Sequence, residues 1–212
     1  LHHIPNAIDV ERFKPNPEAR ELIRNKLGIS NNAPLIGLFA RIHPMKDHAT
    51  FLRAVKILVA KTPTARFLCA GSTSLGYSDL ETSIKSTATD LGLDKHIFWL
   101  GSRNDPEHLM TACDLTTLTS DSGEGFPNSV AESIACGIPC VVTDVGDSGW
   151  VVGDTGKVVP PGVPEALAVA LQDMLSLTDE KRRKLGKMAR LRAENHFSIQ
   201  QNVQRFEKLY MK

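Results

Sequence analysis

With 212 residues, 42% hydrophobic and 23% charged, the chain can bury one large core and has the composition of an ordinary globular domain. Its formal net charge of +1 argues against binding nucleic acid or membrane surfaces by bulk electrostatics. No apolar run approaches the length of a membrane span and the N-terminus carries no signal-peptide pattern.

Cys69, Cys113, Cys136 and Cys140 fall in apolar segments. Cys136 and Cys140 are separated by Gly137-Ile-Pro139, which is neither a metal nor a redox spacing, so free buried thiols in a reducing cytoplasm are expected. The chain begins at Leu1 in an extended-looking Ile4-Pro-Asn-Ala-Ile-Asp9, which reads as the middle of a longer protein.

In chain order, residues 1–16 read as a linker or entry strand ending in Phe13-Lys-Pro-Asn-Pro17. Glu18–Leu27 reads as a short amphipathic helix stopped by Gly28, and Leu35–Ala40 as a short apolar strand. Asp47 is placed to cap a helix over 48–61, where Phe51, Leu52, Val55, Leu58 and Val59 recur at helical spacing. A strand at Arg66–Ala70 leads through a Gly71–Ser78 loop to a helix over 79–91. The strand His96–Leu100, the helix Pro106–Ala112 and the strand Asp114–Thr119 follow.

A helix then starts at Pro127 and Asn128, carries Val130, Ile134 and Cys136 on its apolar stripe, and stops at Gly137 and Pro139. Beyond the strand Pro139–Thr143, a loop containing Gly146 and Gly149 and a short strand Gly156–Pro160 precede helices over 164–175, 179–196 and 199–210. Apolar strands alternating with helices predict an α/β fold, a Rossmann-like doubly wound parallel sheet of about six strands.

In such sheets ligands bind beyond the carboxyl ends of the strands. That rule selects five loops, Arg41–Lys46, Gly71–Ser78, Ser102–Asp105, Ser120–Asn128 and Asp144–Trp150. The first brings Arg41 and Lys46, with Lys46 just ahead of a helix start where a cation and helix amides could jointly hold an anion. The fourth brings Glu124 and Glu132, eight positions apart around another helix start. Gly125 there allows close backbone approach, and the amides from Phe126 through Asn128 and Ser129 to Val130 could meet phosphate oxygens. Either glutamate alone could merely complement a helix dipole or sit solvated. Both together, opposite two cations, point to an anionic ligand bearing hydroxyls.

Competing signatures fail. Gly71–Gly76 lacks the Lys-Ser/Thr of a P-loop, no G-x-G-x-x-G follows the first strand, and Ser122 lacks the strand–G-x-S-x-G–helix setting of a hydrolase. The seven histidines include His2-His3 but no metal-binding spacing, so no metal site is expected. Trp99 and Trp150 read as core or cleft-wall residues.

Taken jointly, Arg41-x4-Lys46, Glu124-Gly-Phe-Pro-Asn-Ser-Val-Ala-Glu132 and Gly137-Ile-Pro-Cys-Val-Val142 resemble the donor half, the C-terminal half, of a GT-B-fold retaining glycosyltransferase. The likeness is to the large "group 1" family with the E-x7-E motif. Ile4–Phe13 resembles that family's interdomain linker, and Gly153–Gly162 its segment after the last strand. The resemblance implies 1–16 as linker, 17–196 as nucleotide-sugar-binding domain, and 197–212 as a helix crossing toward an absent N-terminal acceptor domain. It implies that Arg41 and Lys46 neutralise the diphosphate of a UDP- or GDP-sugar and that Glu124 binds the sugar hydroxyls. Glu132 would hold the ribose, Gly71 and the amides after Glu124 would contact the donor, and Ser102 and Arg103 would meet the base. No cofactor or metal is implied.

Departures from the family pattern are Asn6-Ala7 in the linker, Gly71-Ser-Thr-Ser74 in place of G-x-G, and a short Gly146–Trp150 loop without a glutamate. These leave donor identity open. The function expected is hexosyl transfer by the full-length protein, the fragment alone being inactive; that protein could also make peripheral membrane contact. A nucleotide-sugar epimerase of the same fold and a non-catalytic nucleotide-binding module stay as alternatives. Val203, Phe206, Leu209 and Tyr210 share a face of the last helix, which calls for a partner surface, either the other domain or a second copy.

Overall fold

The computed structural model describes residues 4–73 and 76–211. The start of the entry segment, positions 74 and 75 of the second predicted loop and the last residue of the C-terminal segment lie outside the described residues. The strands are β1 (Leu35–Phe39), β2 (Arg66–Ala70), β3 (Ile97–Gly101), β4 (Leu115–Leu118), β5 (Cys140–Thr143) and β6 (Lys157–Val159). They form one parallel sheet in the order β3-β2-β1-β4-β5-β6. The order reverses direction between β1 and β4, the topological switch point at which doubly wound sheets bind ligands.

The helices are α1 (Pro17–Lys26), α2 (His48–Lys61), α3 (Ser78–Asp90), α4 (Pro106–Ala112), α5 (Asn128–Ala135), α6 (Ser148–Val152), α7 (Pro164–Leu175), α8 (Asp179–Phe197) and α9 (Ile199–Tyr210). Two apolar cores flank the sheet. Alternation along β1 feeds both, with Leu35 and Phe39 entering the core beneath α1, α4, α5 and α8. Ile36 and Leu38 enter the core beneath α2, α3 and α7.

The local chemistry follows the sequence reading. Asn16 caps α1, its side chain accepting the Ala19 amide at 3.0 Å with Pro17 in the first turn. Asp47 caps α2 by accepting the Thr50 amide at 3.0 Å. The four cysteines are free and buried, and burial pushes the Cys136 and Cys140 thiols up to about 12.

Two elements differ from expectation. The Asp144–Trp150 loop gives way at Ser148 to the short helix α6, because Val151 and Val152 are fully buried and draw the chain back onto the core. Among its described residues the entry segment contributes no strand to the sheet. It makes one isolated bridge, Ile8 with Ser198, and is anchored by burial of Ile8 and Phe13.

Candidate active site

The loops beyond the C-terminal ends of β1, β2, β4 and β5 are zipped together by backbone contacts. The Ile42 amide donates to the Ser72 carbonyl at 3.0 Å, and the Asp121 amide to the Met45 carbonyl at 3.0 Å. The Asp147 amide reaches the Gly125 carbonyl at 3.2 Å.

Glycine makes two of these approaches possible. A Cβ at Gly146 would lie 1.9 Å from the Glu124 carbonyl oxygen, and one at Gly71 would lie 1.9 Å from that of Ala40. Both residues also have positive φ, where side chains are strained. Gly125 differs: a Cβ there would meet no protein atom within 4 Å. Packing inside the chain therefore does not demand glycine at that position, whereas close approach by a ligand would.

Lys46 lies at the end of a short 3-10 turn, Pro44–Lys46, just before α2. The next residue, Asp47, has φ 39°, the single non-glycine residue with positive φ among the described residues. Strain of this kind persists where the surroundings over-determine it, and it clusters at ligand-binding sites. Here the Asp47 side chain caps α2 while Thr119 Oγ1 donates to the Lys46 carbonyl at 2.8 Å. The backbone is pinned, and the Lys46 side chain is thrown toward β4.

Its partner there is Glu124. Lys46 Nζ pairs with Glu124 Oε1, and the side chains are 15% and 7% exposed. The buried Ser120 hydroxyl donates to the same Glu124 oxygen, and Thr143 Oγ1 donates to the Ser120 carbonyl at 2.6 Å. Lys46 and Glu124, set on opposite sides of a ligand by the sequence reading, are thus in direct contact. Arg41 is exposed and makes no hydrogen bond or ion pair among the described residues.

The N-terminus of α5 carries no side-chain cap. The Val130 amide is committed to the Pro127 carbonyl at 3.1 Å, so the amides of Asn128 and Ser129 are those left to meet an anion. Phe126 turns inward, edge-on to Phe197 and Trp150 with centroids 5.4 and 6.4 Å apart. Only its backbone faces the site.

Glu132 sits one turn into α5 and lines a cavity of about 520 Å³ with Asn6, Asn128, Asn202 and Phe206. Asn6 Nδ2 donates to Asn128 Oδ1 at 3.1 Å, and Asn202 Nδ2 to the Pro5 carbonyl at 2.8 Å. The buried Asn202 Oδ1 has no partner. Burial raises the Glu132 carboxyl above the usual range; the nearby Arg12 opposes this and Glu107 reinforces it.

Beyond β3, Ser102 and Arg103 are exposed. Arg103 holds Asp105 in a two-bond fork, Nε to Oδ1 and Nη2 to Oδ2, both 2.8 Å, which keeps the Asp105 carboxyl below its usual range. Ser120, Thr143, Asn202 and the strain at Asp47 escaped the sequence reading. The turn glycines between strands and helices were the one signal that loops meet there.

Among the described residues no group of three or more His, Cys, Asp and Glu could hold a metal ion, and no helix is long and apolar enough to cross a membrane.

The sequence model of the glycosyl transferases group 1 family matches residues 19–192. A D-inositol 3-phosphate glycosyltransferase from Corynebacterium jeikeium is 32% identical, with 98% of this chain and 50% of that protein covered. An Escherichia coli UDP-Gal:alpha-D-GlcNAc-diphosphoundecaprenol alpha-1,3-galactosyltransferase is 28% identical over 98% of this chain and 53% of its own. Among solved structures, Anabaena HepE in complex with UDP and glucose superposes with a TM-score of 0.88 at 28% identity, covering 98% of this chain and 56% of that one. The chain spans about half the length of the curated relatives it matches. With the family match extending over most of the sequence, the chain belongs to the group 1 glycosyl transferases.

Proposed function

We propose that this chain is the donor-binding half of a retaining glycosyltransferase that moves a hexosyl group from a nucleotide-diphosphate sugar to an acceptor held by an N-terminal domain. The observation that carries this reading is the Lys46–Glu124 pair, with Arg41 exposed on the same loop as Lys46 and α5 starting uncapped just after Glu124. An arriving diphosphate is a better partner for Lys46 than Glu124 is, because it also takes Arg41 and the Asn128 and Ser129 amides. Lys46 would then exchange its carboxylate for phosphate. Glu124, still held by Ser120, would be freed for the sugar hydroxyls.

The main catalytic demand is stabilising charge on the departing diphosphate, and two cations from one loop plus helix amides would meet it without a metal. Glu132 would hold the ribose hydroxyls, and the loop of Ser102 and Arg103 would meet the base. The names of the similar proteins support a UDP-sugar: one carries UDP-Gal and another was solved with UDP and glucose. The chain by itself binds donor and transfers nothing, and the whole protein works in the cytoplasm.

Calorimetry of the chain with UDP-, GDP- and ADP-sugars tests the binding claim. Arg41→Ala and Lys46→Ala in the full-length enzyme test the catalytic one. Each is expected to lower the transfer rate by about 10²–10³, the cost of losing one donor to developing negative charge. Absence of binding to every nucleotide sugar at millimolar concentration, with both variants at full rate, defeats the reading.

A further inference from the structure

The entry segment brings a cation to the candidate site from a turn that is fixed on three sides. The Asp9 side chain accepts the Glu11 and Arg12 amides, both at 3.0 Å. The Phe13 ring is buried. Arg190 Nη1 donates to the Val10 carbonyl at 2.8 Å and to the Phe13 carbonyl at 2.6 Å. Arg12 projects from this turn, its guanidinium carbon 5.1 Å from the centre of the Phe13 ring.

The guanidinium ends on two neighbouring elements. Arg12 Nη2 donates to the Asn104 carbonyl at 3.2 Å, and Nε and Nη2 donate to Glu107 Oε2 at 3.1 and 2.9 Å. Asn104 directly follows Ser102 and Arg103 in the loop beyond β3, and Glu107 lies in the first turn of α4. Glu132 on α5 is near enough to feel both side chains: burial raises its carboxyl most, Arg12 lowers it and Glu107 raises it. One cation thus ties down the loop beyond β3 and stands beside the carboxylate that follows β4.

Stability does not account for this arrangement. The Arg12 side chain is 47% exposed, and ion pairs that open contribute little to folding. Geometry accounts for it better. β3 and β4 are three places apart, with β2 and β1 between them, which is roughly 14 Å at ordinary strand spacing. The sheet alone therefore sets the separation of Ser102 and Arg103 from Glu132 only loosely. A nucleoside has a fixed distance from its base to its ribose hydroxyls, so groups that meet its two ends must be held at one spacing.

We propose that Arg12 is a positioning residue of the donor site, setting the Ser102–Arg103 loop against Glu132 so that one nucleoside spans them. It acts through Asn104 and Glu107 and touches no ligand itself. Lysine is no substitute, because a single ammonium lacks the planar fork that engages a carbonyl and a carboxylate together. The proposal rests on the donor-binding reading above and extends the site into the segment that reading leaves as a linker.

Calorimetric titration of the chain with UDP and, separately, with inorganic pyrophosphate tests it. Pyrophosphate probes Arg41, Lys46 and the α5 amides without a nucleoside. Arg12→Ala should weaken UDP by about tenfold, the scale of a lost hydrogen bond to a charged group. Pyrophosphate should stay within about twofold of the parent, because an exposed charge at a distance is screened. Arg12→Lys should follow Arg12→Ala, and both should melt with the parent by circular dichroism. Equal UDP affinity in the parent and Arg12→Ala overturns the proposal. So does a parallel loss of UDP and pyrophosphate, which would make Arg12 a mere counter-charge, and so does full recovery in Arg12→Lys. A parent that binds neither compound defeats the donor reading itself, and this proposal with it.

Discussion

Strand β4 carries an ion pair at each end, and the two are built to opposite purposes. At its N-terminal end Arg24 is completely buried, with Arg20 beside it and Asp114 between them and the strand. Arg24 donates to the carbonyls of Ala112 at 3.0 Å, Ser30 at 2.8 Å and Ala33. Asp114 takes Arg20 at 2.6 Å and the Leu35 amide at 2.8 Å. The charges fasten the α1 hairpin to the starts of β1 and β4, and only Arg24 Nε lacks an acceptor.

At the C-terminal end Lys46 has one partner, Glu124, and that partner's other bond comes from Ser120. A saturated buried pair with a rigid guanidinium is structural. An undersaturated pair built on a flexible ammonium can exchange its partner for a ligand.

The sharpest break in this comparison should come from Arg24→Ala. It leaves the half-buried Asp114 with fewer donors and strips the Asn31 and Ala33 carbonyls of theirs, while those of Ala112 and Ser30 keep Arg20 and the Ala33 amide, and should cost about 3–5 kcal/mol of stability. Urea denaturation measures it. A loss below 1 kcal/mol or so would mean that the lower pair is no more structural than the upper one.

Next in size is a pH effect at the upper edge. His48 is buried, its Nδ1 has no partner, and burial lowers its pKa to about 4. The unfolded chain takes up a proton near pH 6.5 and the folded chain only near 4. The stability conferred by neutral His48 is therefore complete above pH 6.5 and lost as pH falls toward 4, by ~3 kcal/mol. His48→Asn should remove that part of the slope between pH 7 and 4. Parallel wild-type and variant curves would show that the ring titrates normally.

How far all this could be read from the sequence depends on the range of the interaction. The strands, α2, and the limits of α5 were legible because apolar periodicity, the Asp47 cap and the Gly137–Pro139 stop act over a few residues. The five-residue α6 was hidden behind Gly146 and Gly149, and what makes it is burial of Val151 and Val152. Arg41, Lys46, Glu124 and Glu132 could be named as a set because the topology rule collects loops at one edge. Their mutual geometry could not. The Lys46–Glu124 contact spans 78 residues, and the Ser120–Thr143 support beneath it joins two strands whose sequences carry no mark of the pairing.

That support yields a smaller effect. Ser120→Ala removes the hydroxyl on Glu124 and should cost about 2 kcal/mol, the scale of a hydrogen bond to a charged group. Thr143 would keep its own bond, because it uses the Ser120 carbonyl. Thermal melts of Ser120→Ala and Arg24→Ala side by side rank the two ends of β4. If the serine variant loses as much as the arginine variant, the upper pair is structural too.

The smallest effect has the most telling sign. Burial raises the Glu132 carboxyl, so ionised Glu132 destabilises the fold once pH exceeds the ordinary carboxylate range. Glu132→Gln should therefore melt slightly above the wild type at neutral pH and converge with it at acidic pH, where both side chains are neutral. If the carboxylate holds ribose hydroxyls, the same variant should bind a nucleotide sugar on the order of tenfold more weakly. Stability and binding would move in opposite directions, as they do where function is maintained against the fold. At Arg24 no binding role is set against the fold, and loss of stability is the whole effect. A Glu132→Gln variant that is less stable at neutral pH and unchanged in binding would place this carboxylate with Asp114, among the groups that only hold the chain together.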